Sequence, residues 1–340
     1  MFIVKSYVLA VVLCFVTMLC WGSWANTQKL AAKSWRYELF YWDYVIGMLL
    51  FSLVLAFSFG SFGAEGRSFI ADLSQASGAS LLWILLGGII FNASNILLSA
   101  STSIAGMSVA FPLGVGIALV LGVVNNYRVA LTQGSKTGDV LFLAIGVALV
   151  VCAIVLNGIA AGKKGGNEVS KADQKKGIVL ALLAGIIMSF FSSFVMRAMD
   201  TANFAAPAAG KVTPYTAIVI FSIGVLVSNF LFNTIVMRRP FVGEPVAYKT
   251  YFTGGLKTHL VGVLGGAIWC LGTALSYITA EKAGPAVSYA LGQGAPMIAA
   301  IWGVFIWKEF KGAGKGVYGL LALMFCLFIG GLSLIVAAGN

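Results

Sequence analysis

Ten runs of about twenty mostly apolar residues follow one another along this chain, separated by short polar gaps. A helix crossing roughly 30 Å of hydrocarbon needs about 20 such residues, so each run is long enough for one crossing. The runs predict helices near Lys5–Gln28, Tyr41–Gly60, Ser80–Ala100, Gly106–Tyr127, Gly138–Ala160, Gly177–Met196, Thr213–Met237, Thr258–Ala280, Gly284–Trp307 and Lys315–Ala338. Of the 340 residues 60% are hydrophobic and only 10% charged, more apolar surface than a water-soluble domain needs. The fold class that follows is an all-α polytopic membrane protein. The first run exceeds the apolar part of a signal peptide. Ser23 and Ala25 resemble a cleavage site, but Trp21 and Trp24 beside them argue for a retained first helix.

The net charge of +11 does not point to nucleic acid, because the basic residues are scattered between spans and not gathered on a folded domain. Their distribution is topological. Most of the 22 Lys and Arg fall after helices one, five, seven and nine: Lys29, Lys33 and Arg36; Lys163, Lys164, Lys171, Lys175 and Lys176; Arg238, Arg239, Lys249 and Lys257; Lys308, Lys311 and Lys315. Basic loops stay in the cytoplasm, which predicts both termini outside it. The five cysteines all lie within predicted helices without metal-ligand spacing, and His259 has no Cys or carboxylate cluster near it in sequence. Neither a metal site nor an enzyme's cluster of His, Asp and Ser is expected, and no cofactor.

One segment, Ala161–Lys176, reads AGKKGGNEVSKADQKK and has no apolar periodicity. It divides the chain into an N-terminal five-helix unit, 1–160, a cytoplasmic linker, 161–176, and a C-terminal five-helix unit, 177–340. Sliding the second unit over the first until Gly87 meets Gly265 lays GGIIFNASNILLSASTSIAGMSVAFPLGVG over GGAIWCLGTALSYITAEKAGPAVSYALGQG without a gap. Identities include Gly88 with Gly266, Ala105 with Ala283, Gly106 with Gly284, Gly114 with Gly292 and Gly116 with Gly294. A unit of five helices is odd, so the second enters the membrane from the opposite side. The expected architecture is ten transmembrane helices as two inverted repeats.

Inverted repeats with Gly/Pro-interrupted helices hold the substrate of many secondary transporters near the membrane midplane. Proline frees backbone carbonyls, which survive in a bilayer only beside protein or a water-lined cavity. Pro112 and Pro296, with Gly292 and Gly294, are the candidate hinges; close helix packing is the other reading of such residues.

The residues also resemble a known family. The spacing from Asn95 to Ser108, followed by PLGVGIALVLG, looks like the rhamnose–proton symporters and glucose/ribose porters of the drug/metabolite transporter superfamily. Ureide permeases look more similar still, in Asp43–Tyr44, in the step Pro214 to Ala217, and in a helix with Gln293, Pro296, Trp302, Gly303, Glu309 and Phe310. The chain departs from them in its short linker. The resemblance covers nearly the whole chain and implies a ten-helix transporter of a bacterial inner membrane, monomer or homodimer, importing a small polar solute with proton coupling.

Polar groups inside a membrane are costly and mark pathways. Asn92 and Asn95 share a face of helix three with Ser99; Tyr289 and Gln293 share a face of helix nine. Amides donate and accept, suiting hydroxyls and ureides alike. Trp21, Trp24 and Gln28 form one face of helix one, and Trp269 lies in helix eight; aromatic faces pack on sugar rings and planar bases. Interhelical hydrogen bonding and interfacial anchoring are the alternatives for the amides and the tryptophans. Coupling needs a group that changes charge, and Asp43 in FYWDYVIG is the candidate, either as proton carrier or as an ion pair with Lys29 or Lys33. Na+ is the other possible coupling ion. Glu281 and Lys282 are expected in a solvated turn.

Transport of a neutral monosaccharide or a ureide-like nitrogen compound is the first reading, and a drug or metabolite exporter the alternative. Exporters of lipophilic cations are expected to carry a central acidic residue, and no helix shows one, which favours import.

Overall fold

The computed structural model describes residues 1–31, 35–105, 107–164, 171–241 and 243–340. In chain order its helices are α1 (Tyr7–Ser23), α2 (Ala25–Ala31), α3 (Tyr37–Phe57), α4 (Phe69–Gln75), α5 (Gly78–Ala105), α6 (Met107–Gln133), α7 (Val140–Lys164), α8 (Lys171–Ala198), α9 (Pro214–Arg238), α10 (Tyr248–Phe252), α11 (Leu256–Ala283), α12 (Pro285–Gly292), α13 (Ala295–Ile301) and α14 (Lys315–Ala338). A π-helical turn, Trp302–Ile306, follows α13. Ten segments are long and apolar enough to span a membrane, each overlapping one predicted run; α1 with α2 forms the first, and α12 with α13 and the π turn the ninth. No β-strand forms among the described residues, which hold one isolated bridge, Met199 with Val212.

The start signals are local. Ser6 caps α1 by accepting from Leu9 N at 3.2 Å. Pro214 and Pro285 open α9 and α12, where the missing N–H costs nothing. Before α12 the chain turns at Gly284 with φ +83°, and a Cβ there would lie 2.3 Å from the Lys136 carbonyl oxygen. Only glycine fits that turn. The linker is shorter than its polarity suggests: Ala161–Lys164 continue α7 and Lys171–Lys176 begin α8, since Lys, Ala and Gln are good helix formers.

Packing partners recur in pairs. The third span packs on the sixth and the eighth on the first; the second packs on the eighth and the seventh on the third; the fifth packs on the tenth. Glycines set two of these crossings. A Cβ on Gly47 would lie 2.1 Å from the Val263 carbonyl oxygen and one on Gly266 1.9 Å from that of Tyr44. Between the seventh and third spans, a Cβ on Gly224 would lie 2.5 Å from the Leu85 carbonyl oxygen and one on Gly88 2.3 Å from that of Phe221. Bare backbones touch at both crossings, the small-residue contact that substitutes for hydrophobic drive between helices in lipid.

Two spans are interrupted. Trp24 separates α1 from α2, and Gln293–Gly294 separate α12 from α13. Pro112, the candidate hinge of the fourth span, lies within α6; its side chain and all of Gly106 are outside the described residues.

Candidate functional site

Both interruptions face one cavity. It holds about 90 Å³ and is lined by Trp21 and Trp24 of the first span, Phe91 and Asn95 of α5, Trp269 of α11, and Gln293 and Pro296 of the ninth span, among others. None of its described lining residues is charged. Trp21 lies face to face with Trp269, centroids 6.2 Å apart and planes at 18°, and its Nε1 donates to Thr273 Oγ1 at 3.1 Å. Glycines make room for this ring, because a Cβ on Gly272 or on Gly292 would approach Trp21 to 2.8 Å. Gly294 similarly leaves space for Met18 Sδ. Phe91 closes the Trp269 side at 4.4 Å.

The amides play two parts. Asn95 lines the cavity and donates from Nδ2 to Tyr41 Oη at 3.1 Å. Tyr41 in turn donates to Asn92 Oδ1 at 2.9 Å, and Asn92 donates to Ser228 Oγ at 2.9 Å. Asn92 is fully buried and absent from the cavity wall; it ties together the second, third and seventh spans. Gln293 is 8% exposed, at the break of the ninth span. Tyr289 sits behind it, buried, donating to the Ala118 carbonyl at 3.1 Å with its ring against Gly122. Gln28, near the end of α2, is half-buried and does not line the cavity.

A second polar centre lies on the preceding residue of α3. Tyr44 turns toward the cavity, 4.9 Å from Trp24 and 6.4 Å from Trp269, whereas Asp43, about 100° round the helix, points away. Asp43 is 1% exposed. Its Oδ2 accepts from Trp35 Nε1 at 3.1 Å; its Oδ1 accepts from Tyr251 Oη at 2.7 Å and lies 2.7 Å from His259 Nδ1. Opposite it, a Cβ on Gly262 would come within 2.4 Å of Asp43 Cβ, so α3 and α11 meet closely there. His259 is edge-on to Trp35 at 5.1 Å and to Tyr251 at 4.8 Å, with its side chain 22% exposed. Tyr251 belongs to the short loop helix α10, where burial first, and then the hydrogen bond to Asp43 and its charge, hold the phenol well above its usual range.

The expected ion pair of Asp43 with Lys29 does not form. Lys29 reaches Glu309 at 2.6 Å and lies over the Trp307 ring, because α2 carries it toward the end of the ninth span while Asp43 faces α11. Lys33 lies outside the described residues. Glu281 and Lys282 are also not a solvated turn: they pair at 2.6 Å, and Glu281 Oε2 accepts from Phe204 N at 2.9 Å, anchoring the loop before α9. His259, Tyr251 and Trp35 were not singled out with Asp43 from the sequence. The available signals were a lone histidine in a chain with few carboxylates and Trp35 close before Asp43 in sequence. Among the described residues no three His, Cys, Asp or Glu side chains come together as a metal site would need.

Residues 40–176 and 159–338 match the family model described as ureide permease, the two stretches overlapping around the polar segment. Ureide permease 1 of Arabidopsis thaliana is 24% identical over 394 aligned positions, covering 100% of this chain and 99% of the relative. The L-rhamnose-proton symporter of Cronobacter sakazakii is 29% identical over 261, covering 73% and 72%. A solved structure known only as a crystal structure of a protein superposes with a TM-score of 0.60 at 17% identity, over 96% of this chain and 95% of that one, a likeness of fold.

Proposed function

The chain belongs to the ureide permease family, and from that premise and the chemistry of its cavity we propose that it imports a small neutral polar solute by proton symport. It is a multi-pass membrane transporter of small solutes and not an enzyme. The solute class is a monosaccharide such as ribose, glucose or rhamnose, or a ureide or purine-related nitrogen compound. The carrying observation is the cavity wall, three indoles and two amides with no charge among the described lining residues. Indole faces take the ring of such a solute, amides its hydroxyls or N–H groups, and a charged substrate would find no counter-ion. The same wall disfavours an exporter of lipophilic cations.

Alternating access follows by rocking one five-helix unit against the other. The exchange of packing partners and the matched glycine crossings, Gly47–Gly266 and Gly224–Gly88, support an inverted repeat. Asp43 is the proton carrier in this reading. It shares α3 with Tyr44, which packs on the cavity ring Trp269, and faces α11, which carries that ring, so a solute that displaces Trp269 strains the Asp43–His259 contact. A bacterial inner membrane, with both termini outside the cytoplasm, fits the basic loops.

Thermal unfolding of the purified protein with pentoses, hexoses, nucleosides, ureides and uracil tests this, since a ligand that binds only the folded state raises the midpoint with dose. One class is expected to stabilise the protein, and Gln293→Ala to abolish that shift. Absence of any shift, or a shift untouched by Gln293→Ala, overturns the assignment of this cavity.

A further inference from the structure

A larger hollow of about 390 Å³ opens next to the central cavity, lined by Arg36, Tyr37, Glu38, Ile96, Ser99 and Gly243, among others. It lies at the start of α3 and against the chain following α9, on the side of Arg36, Arg238 and Arg239 that the basic residues assign to the cytoplasm. The two spaces are neighbours on α5: Asn95 lines the central cavity, Ile96 lines the hollow, and Ser99 lies one turn beyond Asn95 on the same face. They are neighbours on α3 as well, where Tyr37, one turn before Tyr41, lines the hollow.

Between Tyr37 of the hollow's wall and Asn95 of the cavity's wall stands Tyr41. Its ring packs on Tyr37 at 5.3 Å and on Tyr44 at 5.4 Å, and its hydroxyl sits between Asn92 Oδ1 and Asn95 Nδ2 at 2.9 and 3.1 Å. The bond to Asn95 ties this partition to the cavity wall itself. A solute whose hydroxyl or carbonyl oxygen accepts from Asn95 Nδ2 in place of Tyr41 therefore weakens the partition it must pass.

Resting on the transport reading above, we infer that the Arg36–Ser99 hollow is the cytoplasmic vestibule of the solute path and that Tyr41 is its gate. The vestibule takes a neutral polar solute, because its two charged groups neutralise each other: Arg36 Nη2 lies 2.6 Å from Glu38 Oε1, and Arg36 is further held by the Glu244 carbonyl. Ser99 offers the next hydroxyl along the α5 face once Asn95 lets go.

The test is the rate of labelling by a membrane-impermeant maleimide in vesicles, in a background without Cys152 and Cys326, the two exposed thiols. Ser99→Cys reports the vestibule and Leu98→Cys, whose parent side chain lines the central cavity, reports the inner space. Ser99→Cys is expected to label from the cytoplasmic face without solute. Leu98→Cys is expected to label slowly, and roughly tenfold faster when Tyr41→Phe removes the hydroxyl, the change in open population produced by losing about 1.4 kcal/mol of closure. Tyr41→Ala should label at least as fast; if it fails to fold, Tyr41→Phe alone decides. Ser99→Cys silent from that face, or Leu98→Cys indifferent to Tyr41→Phe, overturns the gate. Solute uptake measured on the same vesicles separates the two readings: uptake with no labelling response rejects the gate and keeps the transporter, and the expected labelling with no uptake of any offered class rejects the solute assignment and keeps the path.

Discussion

Among the described residues two aspartates are buried, toward opposite ends of α3, and they are built differently. Asp72 of α4 is fully buried and held by a permanent charge: Oδ1 takes Arg67 Nε at 2.9 Å, and Oδ2 takes the Thr213 N–H at 2.7 Å, at the head of α9. Arg67 also donates to the Pro207 and Lys211 carbonyls, so this carboxylate staples two loops together. Asp43 is buried to nearly the same degree, but a tyrosine, a tryptophan and a histidine are its partners. None of these is a fixed cation. A guanidinium is a permanent cation by its chemistry, whereas an imidazole is a group that can take or give a proton. Burial alone thus does not mark a carboxylate as functional; in the proposed reading the constancy of its partner's charge distinguishes a clamp from an exchange site.

The sharpest break in this comparison comes from removing each carboxylate. Asp72→Ala leaves Arg67 without its counter-charge and takes the acceptor from the start of α9, and is expected to cost about 3 kcal/mol or more of stability, read as a lowered unfolding midpoint in detergent. Asp43→Asn keeps one acceptor oxygen for the Trp35 N–H and turns an amide N–H toward Tyr251 Oη, which can accept, so the fold and solute exchange under equal gradients should survive. Gradient-driven accumulation should vanish. One proton moving through 100 mV contributes about 2.3 kcal/mol, roughly a fifty-fold concentration ratio, and counterflow measured beside net uptake shows whether that factor alone is lost. An Asp43→Asn protein that still accumulates solute would make Asp43 a clamp like Asp72.

The two sites differed in legibility for physical reasons. All ten spans could be read because a twenty-residue apolar run has few folded alternatives, whereas α4 and α10 are only a turn or two long and carry no periodic signal of that strength. The Gly/Pro content around Gln293 announced the break in the ninth span. The helical spacing that pairs Tyr289 with Gln293 holds up to that break, where the Gln293 N–H still donates to the Tyr289 carbonyl at 3.0 Å; of the two, Gln293 lines the cavity and Tyr289 donates behind it to Ala118. Asp43 stood out by its aromatic neighbours, but Tyr251 and His259 lie 208 and 216 residues away, a separation that no local pattern reports. Trp35 was within reach, eight residues before Asp43.

Smaller changes sharpen the contrast. Tyr251→Phe removes one of the donors to a buried carboxylate and is expected to cost about 1.5 to 3 kcal/mol if Asp43 is ionised in the resting protein, and nearer 1 kcal/mol if it is protonated, because hydrogen bonds to charged groups are the stronger ones. Unfolding midpoints of Tyr251→Phe, of Asp43→Asn and of the double variant, each compared with the unmodified protein, isolate that pair energy.

The smallest effect belongs to Lys29–Glu309, at 2.6 Å the pair nearest in form to the one first expected of Asp43. Both side chains are 47% exposed, so water screens the attraction, and Glu309→Gln should cost less than about 1 kcal/mol in the unfolding midpoint. Its accumulation ratio should match the unmodified protein, since a half-exposed carboxylate beside a fixed ammonium has neither the isolation nor the changeable partner that a coupled proton requires. Were Glu309→Gln instead to uncouple uptake as Asp43→Asn does, burial and partner chemistry would both lose their value for locating the exchange site, and the proton would have to enter through the junction of α2 with the ninth span.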